Sequence, residues 1–183
     1  MTRAILEELV PFGEFVPFPW LKAYIGILNQ LGGITAGDAR QPLLETPLGL
    51  ASVTVCYEAM FGPWSRLDAS RGARVIFNIT NDGWYKDTWG PYQHFGSNIY
   101  RAIENRATVV RSGNTGISAV IDPWGVVTDR LDLNTRGRLD VDVPKETAFP
   151  NGSFYSQHGD WFGLLCSLLT AVLILLRLKR ARS

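Results

Sequence analysis

The sixteen residues from Trp161 to Leu176 (WFGLLCSLLTAVLILL) carry no charge, and Arg177, Lys179, Arg180 and Arg182 follow directly. A helix of that composition is apolar on every side, which suits a lipid surround better than a one-sided protein core. At about 1.5 Å per residue it reaches about 24 Å, a little short of a ~30 Å hydrocarbon core; Leu178 and the snorkelling basic side chains extend it. The expectation is a transmembrane helix over 159–179 and a basic tail over 180–183. A buried core helix is the alternative, although such a helix would rarely end in a run of basic residues. The positive-inside rule puts the tail in the cytoplasm and residues 1–158 on the far side, which in a bacterium is the periplasm.

What precedes the helix is sized for one globular core. The chain has 183 residues, 46% of them hydrophobic and 19% charged, with a formal net charge of +1. Charges of both signs are interspersed, so no basic field for nucleic acid exists. The two cysteines, Cys56 and Cys166, are too few for a disulfide framework and lack metal-ligand spacing, so no metal is expected. Met1 to Glu8 contains Arg3, Glu7 and Glu8 and does not read as a signal peptide.

The hydrophobic pattern is that of an α/β fold. Leu50–Cys56 (LASVTVC) and Ala73–Thr80 (ARVIFNIT) have the β-branched content of buried strands, with a helix candidate between them. Gln93–Ala107 has helical spacing of Phe95, Ile99, Ala102, Ile103 and Arg106. Short strands are expected at Thr108–Arg111, Ile117–Asp122, Val126–Leu131 and Gly137–Val143, divided by SGNTG, DPWG and DLNTR turns. Pro17 to Ala36 reads as a loop with a short helix, serving as a lipid-touching lid or packing on the core.

The chemistry gathers around Cys56, which ends a strand and precedes Tyr57 and Glu58. A strand-to-helix junction exposes a side chain beside free N–H groups, which activates a thiol and can hold an oxyanion. A buried structural cysteine is the alternative. Glu14 sits in VPFGEFVP among apolar residues and prolines, where burial would raise its pKa toward a general-base range; a solvated loop glutamate is the plainer reading. Glu58 is a second candidate, or a first-turn helix acid. Asp82, Trp84 and Trp89 are candidates for lining a pocket, or for fixing their own Gly-rich loop. His94 reads as a capping or packing residue, and Glu104 and Arg106 as structural partners on one helix.

An ordered set of motifs adds to this: LVPFGEFVP (Leu9–Pro17), VCYE (Val55–Glu58), NITNDGWY (Asn78–Tyr85), GPYQHF (Gly90–Phe95), RAIENR (Arg101–Arg106) and RSGNTGISAVIDPWG (Arg111–Gly125). Together they resemble the apolipoprotein N-acyltransferase family, a branch of the nitrilase or carbon-nitrogen hydrolase superfamily. The resemblance implies a partial nitrilase-type α-β-β-α sandwich on the periplasmic side of the bacterial inner membrane, followed by the terminal helix. It implies an acyl chain moved from a phospholipid, through a Cys56 thioester, to the amine of a diacylglyceryl-cysteine apolipoprotein. It further implies a monomer with no cofactor and no metal.

By the same resemblance Glu14 matches a further functional glutamate, and Tyr57 and Glu58 match residues beside the nucleophile, with Tyr57, Asp82 and Trp84 expected to meet substrate. The family's lysine falls at Leu6, and its catalytic glutamate belongs to an upstream segment. Met1 to Glu8 does not resemble the family's approach to the motif, as in a truncated chain, and impaired activity is the expectation. Lys22 and Lys86 have no context that argues for substitution. A small-amide hydrolase and an inactive, lipid- or protein-binding remnant are the competing readings.

Overall fold

In the computed structural model, residues 40–143 and 149–182 are described. Leu6, Glu14, Lys22 and the Pro17 to Ala36 segment lie outside them. Six strands form one sheet in the order of the chain: β1 (Leu44–Thr46), β2 (Gly49–Val55), β3 (Val75–Asn81), β4 (Thr108–Asn114), β5 (Ser118–Ile121) and β6 (Val127–Leu131). β2, β3 and β4 are parallel, whereas β1, β5 and β6 join antiparallel at the margins. Parallel neighbours need crossovers, and these are helices α1 (Gly62–Ser70) and α2 (Gly90–Asn105).

Both helices open on a Gly-Pro pair, where the missing proline N–H has no cost and the fixed φ suits a first turn. Helix α2 starts at Gly90, three residues before the Gln93 that periodicity marked. It stops at Arg106, which takes the left-handed conformation (φ 52°) that usually falls to glycine. The Arg106 guanidinium donates to the Pro123 carbonyl (3.0 Å) and lies 4.5 Å above the Trp124 ring, contacts that offset the strain. Arg106 therefore does not pair with Glu104, whose partner is Arg101 at 2.8 Å.

Helices α1 and α2 lie side by side on one face of the sheet. Ile76, Val109, Ala119 and Ile121 from the strands meet Phe95 and Ala102 of α2 there to form the core. The opposite face keeps Phe77 half-buried and Ile79 exposed, as expected of one sheet of a two-sheet sandwich. A cavity of about 360 Å³ opens beside β4 and β5.

One expected strand is corrected: residues 137–143 form no ladder. Their alternation is real, with Leu139, Val141 and Val143 half-buried and Asp140 and Asp142 exposed, but the apolar positions line that cavity instead of pairing. β4 is longer than expected and runs through Gly113 to Asn114, because turn-like residues there still pair in register with Thr80 and Asn81.

After a short helix α3 (Phe154–His158), whose cap Ser153 accepts from the Ser156 N–H, the chain enters α4 (Trp161–Arg182). Over Trp161–Arg180 the mean hydropathy is 2.2 and no part is buried against the domain. Its length and composition suffice to cross a membrane.

Candidate active site

Cys56 leaves the carboxyl end of β2 and opens a 3-10 turn, Cys56–Met60. It is a free, half-buried thiol whose backbone holds a positive φ of 51°. A non-glycine residue in that region costs about 1–3 kcal/mol, and such strain persists only where the surroundings over-determine it. The expected direct passage from strand to α-helix is thus replaced by this tight turn, and α1 begins only at Gly62.

Three sets of contacts hold the turn. Glu58 is fully buried, and its Oε2 accepts from the Val55 N–H at 2.7 Å, folding back on the strand end. Arg101 of α2 donates to the Met60 carbonyl (3.3 Å). The Cys56 carbonyl oxygen meets His94 Nε2 at 3.0 Å and the Asn78 amide at 3.4 Å.

His94 leads into a buried ionic network. Its Nδ1 lies 2.9 Å from Asp82 Oδ1, which also accepts from Thr80 Oγ1 at 3.1 Å. Asp82 Oδ2 pairs with Arg111 at 2.6 Å, and the same guanidinium reaches Asn78 Oδ1 (2.6 Å) and the Ile117 carbonyl (3.0 Å). Asp82, His94 and Arg111 are all at most 2% exposed.

Burial alone would raise the Asp82 carboxyl, but the His94 hydrogen bond and the Arg111 charge outweigh it and hold the group below its ordinary value. For Arg111 burial prevails over Asp82 and lowers its pKa. Burial, with Cys56 and the Asp82 carboxylate nearby, pushes the Tyr85 phenol up to about 12.

Cys56, Tyr57, Glu58 and Asp82 are therefore drawn to one edge of the sheet, the carboxyl ends of β2 and β3. Asp82 has both carboxylate oxygens engaged inside the domain and also borders a cavity there. Trp84 and Trp89 stand 77% exposed on the loop beyond it. Lys86 borders a cavity of about 230 Å³ shared with Asp82, Thr115 and Asn134. Glu14 lies outside the described residues. Among the described residues no group of three or more acids, histidines and cysteines could hold a metal ion.

His94, expected as a cap or packing residue, is packed in the interior and bridges Asp82 and the Cys56 carbonyl. Arg111, Asn78 and Arg101 were not singled out from sequence. A histidine inside GPYQHF, one of only two in the chain, was the available signal.

The carbon-nitrogen hydrolase family model matches residues 4–149. The chain belongs to this family. As a carbon-nitrogen hydrolase family member, the chain is 40% identical over 179 residues to the apolipoprotein N-acyltransferase of Agrobacterium fabrum, covering 96% of this chain and 33% of that protein. The apolipoprotein N-acyltransferase of Geobacter metallireducens is 35% identical over 173 residues, covering 94% and 33%. The chain thus spans about a third of the length of the curated relatives it matches, and the expected resemblance stands.

Proposed function

We propose that Cys56 is the nucleophile of an N-acyltransferase that moves an acyl chain from a phospholipid to the amine of an apolipoprotein. The observation that carries this reading is a free thiol at a strand end, in a strained turn anchored by a buried ionic network, in a chain so similar to proteins of that name.

The Cys56 thiol gives up its proton and attacks the ester carbonyl of the phospholipid; a C–S bond forms, the ester C–O bond breaks, and the lysophospholipid oxygen leaves with the proton the thiol released. The α-amine of a diacylglyceryl-cysteine then attacks the thioester, forming C–N and breaking C–S, and its proton returns to the sulfur. The thioester splits one lipid-to-lipid transfer into two easier displacements. Glu58 fixes the turn and Tyr57 follows the nucleophile in the chain, while Trp84 offers the acyl chain an exposed aromatic surface. Glu14 is a further functional carboxylate.

The working arrangement is a monomer with a catalytic unit over 1–158 on the periplasmic side of the inner membrane, a spanning helix over 159–179 and a cytoplasmic tail. With Leu6 where the family has lysine, this chain acylates slowly by itself, since one lost oxyanion donor costs about 100-fold to 1,000-fold.

The test is intact-mass analysis of the detergent-solubilised chain after incubation with phospholipid. A hydroxylamine-labile acyl adduct is expected on the wild type and on Cys166→Ser, and none on Cys56→Ala. No adduct, even after an upstream segment bearing the family's Glu and Lys is supplied, overturns the reading. In proteoliposomes Cys166 should resist a membrane-impermeant maleimide that labels Cys56; equal labelling would refute the spanning helix.

A further inference from the structure

Helix α2 meets the nucleophile's turn with two side chains spaced seven residues apart, one at each end: His94 at the Cys56 carbonyl (3.0 Å) and Arg101 at the Met60 carbonyl (3.3 Å). Spacing of seven returns a side chain to the same helix face, so one rigid element sets both ends of the turn.

The contact at Cys56 resembles an Asp–His–Cys triad but differs in the atom reached. A backbone carbonyl has no proton to give, so a ring nitrogen bound to it must donate. Nε2 therefore carries hydrogen. At the other side of the ring, the Asp82 carboxylate is also acceptor-only, and 2.9 Å to Nδ1 requires hydrogen there too.

The alternative is a neutral ring whose Nδ1 accepts from Arg111 at 3.3 Å. It would set two lone pairs face to face at the shorter distance, while Arg111 already makes 2.6 Å bonds to Asn78 and Asp82. The shorter contact favours an Nδ1 that donates to Asp82. The charged and titratable groups around it are Asp82 and Tyr85 from the turn after β3, Arg111 from β4, and Tyr57 and Cys56 from the turn after β2.

We propose that His94 is a positioning residue of the acyl-transfer site: donating from both ring nitrogens, it ties the Cys56 carbonyl to the Asp82–Arg111 pair and so holds the sulfur in line for attack. This rests on the acyl-transfer reading for its purpose, but not for its geometry. His94 takes no proton from the thiol; it fixes the residue in its strained φ, where a displacement of about 1 Å costs about 100-fold in rate.

Two measurements on the detergent-solubilised full chain separate the inference from the reading beneath it. His158→Gln leaves His94 as the one histidine, so its ring-nitrogen NMR signals are unambiguous. Both nitrogens are expected to carry a proton, as the two contacts require; a single N–H overturns the inference whatever the enzyme does. Acyl-adduct formation at Cys56 is then followed against phospholipid concentration.

His94→Ala is expected to lower the saturating rate about 100-fold with the half-saturating concentration unchanged. His94→Gln keeps one donor and should lose less. Wild-type rates in His94→Ala overturn the proposal, as does a loss confined to the half-saturating concentration. If His94→Ala does not fold, His94→Gln and the ring-nitrogen spectrum still decide. Two protonated nitrogens in a chain that does not acylate even with the upstream Glu and Lys segment supplied would sink the acyl-transfer reading and uphold the geometry of His94.

Discussion

Replacing Arg111 with methionine, which keeps much of the stem and removes the charge, is expected to destabilise the domain by about 3–5 kcal/mol, the usual cost of stranding one partner of a buried ion pair. Arg111 is 2% exposed and spends its guanidinium on Asp82, Asn78 and the Ile117 carbonyl, so the variant leaves three buried acceptors short of a donor. Each orphaned acceptor alone costs about 1–3 kcal/mol, and the terms overlap because Thr80 and His94 still hold Asp82 Oδ1. Against a typical stability of about 5–15 kcal/mol the loss is large.

Urea unfolding in detergent, followed by tryptophan fluorescence, reads it. The sign with pH is also set. Asp82 is held below its ordinary value in the folded chain, so its contribution is present above the unfolded carboxyl pKa of about 3.9 and is lost as pH falls through the native value. Arg111→Met weakens that depression, so its deficit relative to the wild type should be greatest near neutrality and shrink in acid. Asp82→Asn combined with Arg111→Met should cost less than the sum of the two. A neutral-pH loss below about 1 kcal/mol, the scale of an exposed pair, or a deficit indifferent to acid, would refute the argument.

Other perturbations follow from the same geometry. Glu58→Ala orphans the Val55 N–H and should cost about 1–3 kcal/mol, whereas Glu58→Gln retains an acceptor and should cost less; equal losses on urea unfolding would point to charge instead of the hydrogen bond. Gly116→Ala drives a methyl into the Asp82 carboxyl, and the overpacking should cost about 1–3 kcal/mol and slow acylation; a wild-type rate and melting temperature would contradict it. On alkaline titration the tyrosinate absorbance that develops nearest pH 12 should be missing from Tyr85→Phe, and an unchanged curve would place that late ionisation elsewhere.

Much of the fold was legible because local rules and burial agreed. β-branched runs marked β2 and β3, the Gly-Pro pair lay just ahead of the expected start of α2, and the uncharged run before a basic tail marked α4. Residues 137–143 misled for a physical reason: alternation records which side chains are covered, not which backbone groups are paired. At the site, Cys56 was legible from the strand that ends on it and from the motifs around it. His94, Arg111 and Asn78 were not, since the contacts that join them to one another, to Asp82 and to the Cys56 carbonyl span 12 to 38 positions.

By itself, then, the sequence determined the α/β class, the order of the parallel strands' crossovers, the apolar terminal helix, the family and the candidate nucleophile, because these follow from contiguous residues. Tertiary structure alone decided that Asp82 faces inward, that His94 binds the Cys56 carbonyl, and that the thiol stands on a strained turn. A buried charge takes its role from whatever desolvated group it meets, and that meeting exists only once β3, β4 and α2 have packed.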